Sequence, residues 1–360
     1  MPTTTATELA QLGGLVTTDS STSTVTVNGT LAATTITLPN NSVTAAKLSN
    51  PQYTGFRNRI INGDMRVWQR GTTVTPSLGS LTSYVSDRWA SYQTGAALAV
   101  GRSSGFVSGA NAFQYAASLT GAAGNTEATF FQCIESLNTA DLSGQTITLS
   151  VWLYSGIAKS INLFIDSADV ADVFSATTNR SAVAFSHTGS GWEKAILTYV
   201  SANSAVANGI RVRFSFGALT SGVFGFTGVQ LEAGSTATDF ERRPIGTELA
   251  LCQRYFQSYG GQSANDMVCM GTTNSTSNFL GIVHLPVTMR TNPTVGFSAA
   301  SAITIDDNGA GAVSTGITTA PYGLTSVALV VATPAVMAVN RASRAYINGS
   351  SPRLTWSAEL

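Results

Sequence analysis

Strict alternation of apolar and polar side chains is the feature of this sequence that most restricts its fold. In the run ITLSVWLY, residues 147–154, aliphatic side chains occupy the odd positions, and Thr, Ser, Trp and Tyr occupy the even ones. Residues 161–165 and 210–216 repeat the same period. Because successive side chains of a strand point to opposite faces, this period predicts antiparallel strands with one buried face. Residues 57–243, with Gly-rich turns between these runs, are predicted to form a two-sheet sandwich or jelly roll.

The N-terminal segment differs from this domain in composition. Residues 1–56 are rich in Thr, Ser and Asn and contain no aromatic side chain before Tyr53, so they cannot form a core alone. They are predicted to be an extended attachment and stalk segment that becomes ordered against other chains. The elements expected within this segment are short strands at residues 22–27 and 31–38 and a short helix at residues 41–48.

A helix is predicted at the start of the C-terminal part. Thr247 is expected to cap the run ELALCQRYFQSY, with Cys252 and Phe256 on one apolar stripe and Gly260 at the stop. Short strands and Gly/Asn turns follow, so residues 244–360 are predicted to be a smaller β-domain at the tip of the chain. The predicted fold class is therefore all-β: an extended stalk, a jelly-roll sandwich and a small β-domain with one helix.

The charge pattern argues against two classes of partner. The net charge is zero, and charged residues make up 11% of the chain against about 25% in typical soluble proteins. Binding to nucleic acid through phosphates needs a basic patch, but the one basic bias, over residues 57–70, is interrupted by Asp64. We expect ordinary pairing with acids there, and no nucleic acid partner. The longest apolar run, residues 327–339, is too short to cross a bilayer, so no membrane insertion is expected.

Catalytic, metal and cofactor motifs are missing from the sequence. The cysteines are widely spaced and form no C-x-x-C, which argues against a disulfide framework and a zinc site. Residues 101–105 match the G-x-S-x-G elbow of hydrolases, but no helix is expected after them, so a turn between strands is the preferred interpretation. No enzyme activity, metal or cofactor is expected. Carboxylates that could act as a glycosidase pair have no distinguishing context: Asp87, Glu127, Glu135 and Glu193.

Four aromatic residues are the candidate binding residues. Trp152 and Tyr154 share the face of one predicted strand opposite its aliphatic face, and Trp89 and Tyr92 lie close together in the sequence. A Trp/Tyr pair on an exposed sheet face can stack on sugar rings, because the aromatic faces match the axial C–H groups of a sugar. These residues are therefore candidates for carbohydrate binding. The alternative is that the second sheet or a neighbouring subunit buries this face too.

Three segments of the sandwich region resemble bacteriophage tail fibres. Residues 58–71 (NRIINGDMRVWQRG), followed by residues 84–89 (YVSDRW), resemble the opening of a domain found in such fibres, and residues 229–241 (VQLEAGSTATDFE) resemble its closing strand. That domain is similar to jelly-roll carbohydrate-binding modules. Modules of this shape often place a Glu near a structural calcium where this chain has Arg66. This departure argues against the metal.

The C-terminal part resembles phage fibres as well. Residues 248–256 (ELALCQRYF) and 285–293 (LPVTMRTNP) are similar to a C-terminal fibre domain, and such fibres commonly end in a sequence similar to SAEL, residues 357–360. Residues 38–48 resemble short stalk elements of these fibres. The segments occur in the same order along the chain, which makes coincidence an inadequate explanation.

The resemblance implies a virion fibre that is made in the bacterial host's cytoplasm. It would assemble as a parallel homotrimer, attach to other virion proteins through residues 1–56, and adhere to a glycan on the host surface. Three weak sites would act together through multivalency. One alternative is a purely structural head fibre or capsid-decoration protein. A second is a polysaccharide depolymerase, which would need a carboxylate pair in a cleft.

Overall fold

The computed structural model describes residues 16–19, 24–27, 56–104, 113–260, 265–307, 311–350 and 352–360. The chain divides into two compact units, residues 1–54 and 55–360. In the first unit, strands β1 (Val16–Asp19) and β2 (Thr24–Val27) pair antiparallel. The strand predicted at residues 31–38 and the helix predicted at residues 41–48 lie outside the described residues.

The first twelve strands of the second unit form two antiparallel six-stranded sheets. In the first sheet the order is β11-β10-β13-β8-β5-β4, and in the second it is β12-β9-β14-β7-β6-β3. The strands are β3 (Thr73–Val74), β4 (Tyr84–Ser86), β5 (Trp89–Thr94), β6 (Val100–Ser104), β7 (Tyr115–Thr120), β8 (Glu127–Ile134), β9 (Ile147–Ser155), β10 (Lys159–Val170), β11 (Val173–His187), β12 (Gly191–Tyr199), β13 (Ile210–Ser215) and β14 (Val223–Ala233). Short 3-10 helices lie at Ser136–Asn138, Ala140–Leu142 and Ser204–Asn208.

Helix α1 (Ile245–Gln253) and ten strands make up the remainder. A three-stranded sheet has the order β15-β24-β18, and a seven-stranded sheet has the order β20-β19-β23-β16-β17-β22-β21. The strands are β15 (Phe256–Gly260), β16 (Met267–Thr273), β17 (Asn278–His284), β18 (Thr294–Phe297), β19 (Ile303–Asp306), β20 (Gly311–Val313), β21 (Gly316–Tyr322), β22 (Ser326–Ala332), β23 (Ala342–Ile347) and β24 (Arg353–Ser357).

The bounds of α1 correct the helix prediction. The helix begins two residues before Thr247, with Pro244 at its N-cap, because the carbonyl oxygen of Pro244 accepts the first helical hydrogen bond, from Glu248 N–H at 3.1 Å. The helix ends at Gln253, and Phe256 lies in β15, where it pairs with Ser357 of β24 instead of extending the helix. The β-pairing with a strand about a hundred residues away overrides the local helical pattern. Among the described residues no helix is long and apolar enough to cross a membrane.

Alternating side chains fill the space between the two six-stranded sheets, and the all-β prediction is confirmed. The inward residues of β9, β10 and β13 are fully buried, as their period of two predicted: Ile147, Leu149, Val151, Leu153, Ile161, Leu163, Ile165, Ile210, Val212 and Phe214. A second apolar cluster lies between Val268 and Ala358. The predicted domain boundary at residue 244 falls between the two clusters and stays a prediction.

Two further sequence interpretations can be compared with the structure. Residues 101–104 of the G-x-S-x-G match lie in strand β6, so the turn interpretation of that motif was wrong. The pairing of β6 with β7 extends the strand through these residues.

The arginines of residues 57–70 each contact a carboxylate, as expected. The pairs are Arg57 with Glu232, Arg59 with Asp141, Arg66 with Asp64, and Arg70 with Glu359.

Candidate functional site

Trp152 and Tyr154 lie on the outer face of the second sheet. The odd-numbered aliphatic side chains of β9 are buried between the sheets, whereas Trp152 and Tyr154 are half-buried on the opposite face. The first sheet of the sandwich therefore does not cover these two rings. Part of each ring is open to solvent, which is the condition that a stacking interaction with a ligand requires.

A third ring, that of Trp192, joins this face. Trp192 on β12 pairs with Tyr154 on β9, and the two ring centroids are 5.4 Å apart with the planes inclined by 58°. On the other side of Tyr154 lies Gly225 of β14, and a Cβ atom there would be in ordinary van der Waals contact with Cη2 of Trp192, at 3.6 Å. The half-buried Trp192 indole therefore reaches across β9 above a position that has no side chain. We call Trp152, Tyr154 and Trp192 the aromatic cluster.

A bulge in β14 holds Trp152. The pairing of β14 with β9 is irregular after Thr227, and Gly228 there has a φ of +60°. A Cβ atom on Gly228 would lie 2.4 Å from Cζ of Phe113 and 2.9 Å from Cδ1 of Trp152. Only glycine allows both the positive φ and this close approach of the two rings. Phe113 packs in turn edge-on against Phe240, with ring centroids 5.1 Å apart.

Polar groups border the aromatic cluster. Lys194 pairs with Trp152 across the two strands, and its Nζ donates to the carbonyl oxygen of Thr238 at 3.4 Å. The Nε1–H of Trp192 is buried and has no acceptor within the described part of the chain. Ring faces with a few polar groups around them are the combination that binds sugars.

Trp89 does not belong to this site, and its prediction as a binding residue was wrong. Its side chain is fully buried, and its Nε1–H donates to the carbonyl oxygen of Asn62 at 3.1 Å. Its ring centroid lies 5.7 Å from that of Phe214 and 5.4 Å from that of Phe226, within the core between the two sheets. The residues that share its inward orientation on β5 are polar, which hid the core face in the sequence.

Tyr92 is half-buried on the outer face of the first sheet, on the opposite side of the sandwich from the aromatic cluster. It packs against a small apolar cluster that includes Phe131 and Phe174. The structure therefore does not bring Tyr92 together with Trp152 and Tyr154.

A charged cluster on the outer face of the first sheet was missed by the sequence analysis. The buried carboxylate of Asp166 lies 2.7 Å from Nε of Arg213 and 3.1 Å from Nη2 of Arg211, and it accepts a hydrogen bond from Asn179 at 2.9 Å. The Arg213 guanidinium lies 3.5 Å from the centroid of the Phe164 ring. These contacts join β10, β11 and β13, and alternation of polar with apolar residues could have placed both arginines outside the core.

The carboxylates considered for a glycosidase pair are engaged in separate contacts. Burial raises the pKa of Asp87, but its side chain is fully buried and out of reach of a substrate. Hydrogen bonds from Thr188 lower the pKa of Glu193. Each of the four has its own partner: Asp87 with Gln69, Glu127 with Ser215, Glu135 with Arg254, and Glu193 with Thr188.

The position considered for calcium holds an ion pair. Asp64 is buried, and its Oδ2 lies 2.6 Å from Nε of Arg66. Burial raises the pKa of Asp64, and the charge of Arg66 opposes this shift. Among the described residues no three His, Cys, Asp or Glu side chains are grouped closely enough to hold a metal ion.

Comparison with known proteins gives structural likenesses only. No protein-family model matches the sequence, and no curated protein matches it. The chain is similar to the enzymatically active domain of tailspike protein 4 from bacteriophage CBA120, with a TM-score of 0.36 and 15% identity over 50% of this chain and 22% of that chain. It is also similar to a TmCBM61 structure in complex with β-1,4-galactotriose, with a TM-score of 0.30 and 13% identity over 49% of this chain and 99% of that chain.

A third similar structure is the CBM22-2 xylan-binding domain from Paenibacillus barcinonensis Xyn10C. Its TM-score is 0.29 and its identity is 14%, over 43% of this chain and 94% of that chain. The chain thus covers about a fifth of the tailspike chain and almost the whole of each of the two carbohydrate-binding modules.

Proposed function

We propose that this chain is a carbohydrate-binding adhesive protein that works as a fibre of a phage particle. The observation that carries the proposal is the aromatic cluster, in which Trp152, Tyr154 and Trp192 lie half-buried on the outer face of the second sheet. Rings held in place by packing pay little conformational entropy when a ligand binds. Their faces complement the C–H face of a pyranose, and Lys194 lies beside them to hydrogen-bond a hydroxyl.

Assembly into a homotrimer would turn a weak site into firm adhesion. A single aromatic contact is worth about 1 kcal/mol, so one cluster alone binds weakly. Three copies on one fibre raise the effective concentration of each further site and increase avidity without new contacts. Residues 1–56 would attach the fibre to other virion proteins, in keeping with the absence of aromatic side chains before Tyr53 and with the resemblance of the chain to phage fibres.

A glycan microarray carrying bacterial O-antigens, capsular polysaccharides and plant hemicelluloses tests the binding function. The full-length chain is expected to bind a subset of these glycans, and Trp192→Ala is expected to weaken that binding about tenfold or more, which is about 1.4 kcal/mol. The matched control is Ile196→Ala, because Ile196 is exposed on the outer face of the same strand. Equal binding by Trp192→Ala and the wild type would contradict the proposal.

The role on the particle needs separate measurements. Mass photometry of the purified chain is expected to report three subunits, and a stable monomer at micromolar concentration would contradict the trimer. Immunogold electron microscopy of the phage is expected to label the tail fibres. Label confined to the capsid would contradict the tail-fibre assignment and indicate a head fibre instead.

A further inference from the structure

The aromatic cluster lies at one end of a row of paired residues that crosses all six strands of the second sheet. The Trp192 indole extends over Gly225, and beyond it the next two residues of this row, Ser118 and Gly101, are small. In strand order the row is Trp192, Tyr154, Gly225, Ser118, Gly101 and Thr73.

An open groove occupies the far end of this row. Its volume is about 350 Å³, and it lies on β3, β6 and β7. We call it the hydroxyl groove, since its lining includes the hydroxyl side chains of Thr73, Ser103, Ser118 and Thr120 with Gly101 in its floor. Residues 101–103 of the G-x-S-x-G match lie in the lining of this groove.

The lining of the hydroxyl groove suits a ligand that is itself rich in hydroxyl groups. Each Ser or Thr hydroxyl can donate one hydrogen bond and accept two. Those of Ser118 and Thr120 have no hydrogen-bond partner among the described residues, so both are available to a ligand.

The dimensions of the row exceed those of one sugar ring. Neighbouring strands are about 4.8 Å apart, so the four steps from Tyr154 to Thr73 span about 19 Å. Between the Trp192 indole, which lies over Gly225, and Thr73, the row contains only Ser118 and Gly101, and neither side chain is bulky. One ligand can therefore contact the aromatic cluster and the hydroxyl groove at the same time.

We propose that the hydroxyl groove binds the further sugar units of an unbranched polysaccharide, one unit of which stacks on the aromatic cluster. This inference rests on the proposed carbohydrate-binding function and defines its ligand as a linear chain that lies across the strands. A branched glycan or an isolated terminal sugar would leave the groove empty. The affinity must then increase with the length of the oligosaccharide.

Length-dependent binding tests the proposal. The polysaccharide with the strongest wild-type signal on the array is cut by partial acid hydrolysis into fragments of two and six sugar units, and binding to the full-length chain is measured by calorimetry. The wild type is expected to bind the longer fragment about tenfold or more tightly. Gly101→Leu should remove this advantage by filling the groove, and should leave binding of the two-unit fragment unchanged.

The choice of Gly101 keeps the fold intact. A Cβ atom there would lie 3.5 Å from Oγ1 of Thr73, an ordinary contact, and Gly101 does not have a positive φ. The matched control is Gly316→Leu, since Gly316 also lies in a strand and its added Cβ would have an ordinary contact with Ala332. Ser118→Leu fills the same groove from the neighbouring strand and serves as the second variant if Gly101→Leu does not fold.

The possible outcomes separate the two proposals. If Trp192→Ala binds the two-unit fragment as the wild type does, the proposed function fails at the aromatic cluster. If Trp192→Ala loses that binding but the six-unit advantage persists in both Gly101→Leu and Ser118→Leu, only the groove proposal fails. Equal wild-type affinity for the two fragments would also overturn the groove proposal.

Discussion

Removing the carboxylate of Glu359 should strongly destabilise the second unit. The Glu359 carboxylate bonds to Nη1 of Arg88 and lies 2.9 Å from Nη2 of Arg70. The side chain of Arg88 is only 1% exposed. Its other Nη donates to the carbonyl oxygen of Cys133 at 2.6 Å, and its guanidinium lies 3.5 Å from the centroid of the Tyr255 ring. Glu359 is therefore the carboxylate that neutralises a buried cation between the sandwich and the C-terminal strands.

The expected magnitude follows from the burial of this pair. Removing one partner of a buried ion pair leaves an uncompensated charge and costs about 3–5 kcal/mol. For domains of 150–250 residues, 1 kcal/mol shifts the Tm by about 2–4 °C, so Glu359→Ala should lower the Tm by at least about 6 °C. Glu359→Gln should lose less, because its amide oxygen still accepts a hydrogen bond from Arg88.

Scanning calorimetry and urea unfolding of the full-length chain measure the effect. The matched control is Asp141→Ala, since Asp141 pairs with Arg59 at 2.6 Å but has a side chain that is 61% exposed. An exposed pair contributes about 0–1 kcal/mol, so this control should unfold close to the wild type. A loss in Glu359→Ala no larger than that of the control would refute the reasoning.

Two more predictions concern the bulge and the buried acids. Gly228→Ala should lower the free energy of unfolding by about 1–3 kcal/mol more than Gly79→Ala does. Both glycines have a positive φ, but only at Gly228 would the added Cβ clash with Phe113 and Trp152. Equal losses in urea unfolding would contradict this, because they would show that the two rings move aside without cost. Burial raises the pKa of Glu248, so the native state keeps a proton that the unfolded chain loses. The contribution of Glu248 to the free energy of unfolding should therefore fall as pH rises from about 4 towards the raised pKa. In calorimetry, the unfolding free energy of the wild type minus that of Glu248→Gln should decrease over this range, and identical pH profiles would contradict this cause.

The strands could be predicted because their signal is local. The period of two in residues 147–154 depends only on which side chains face the core, and the structure buries that face as expected. The end of α1 could not be predicted in the same way. Phe256 fits the helical stripe, but its pairing with Ser357 depends on a strand that is remote in the sequence.

Part of the site could also be predicted from a local signal. Trp152 and Tyr154 stand out because their strand has an unbroken aliphatic face. Trp89 was misassigned because Ser91 and Gln93, which face inward with it, are polar and fully buried. The Gln93 side chain is satisfied by the backbone of Leu98, so it is stable in the interior.

Trp192 was missed because a single aromatic at the start of a strand gives no pattern by itself. Its phase relative to Ala195 and Leu197, which are buried, places it on the outer face of β12. The contact with Tyr154 depends on the register between β12 and β9, and no local property of either strand determines that register.

Two glycines of β14 lie next to the rings of the outer face. A Cβ atom on Gly225 would make an ordinary contact with the Trp192 indole at 3.6 Å, whereas one on Gly228 would clash with Phe113 at 2.4 Å and with Trp152 at 2.9 Å. The missing side chain of Gly228 therefore lets these two rings lie close to the backbone of the bulge. Rings fixed in this way lose little entropy on binding, so more of their contact energy is retained as affinity. A surface of fixed rings followed by a low hydroxyl floor favours a long, flat ligand, because each further sugar unit adds contacts without ordering the protein.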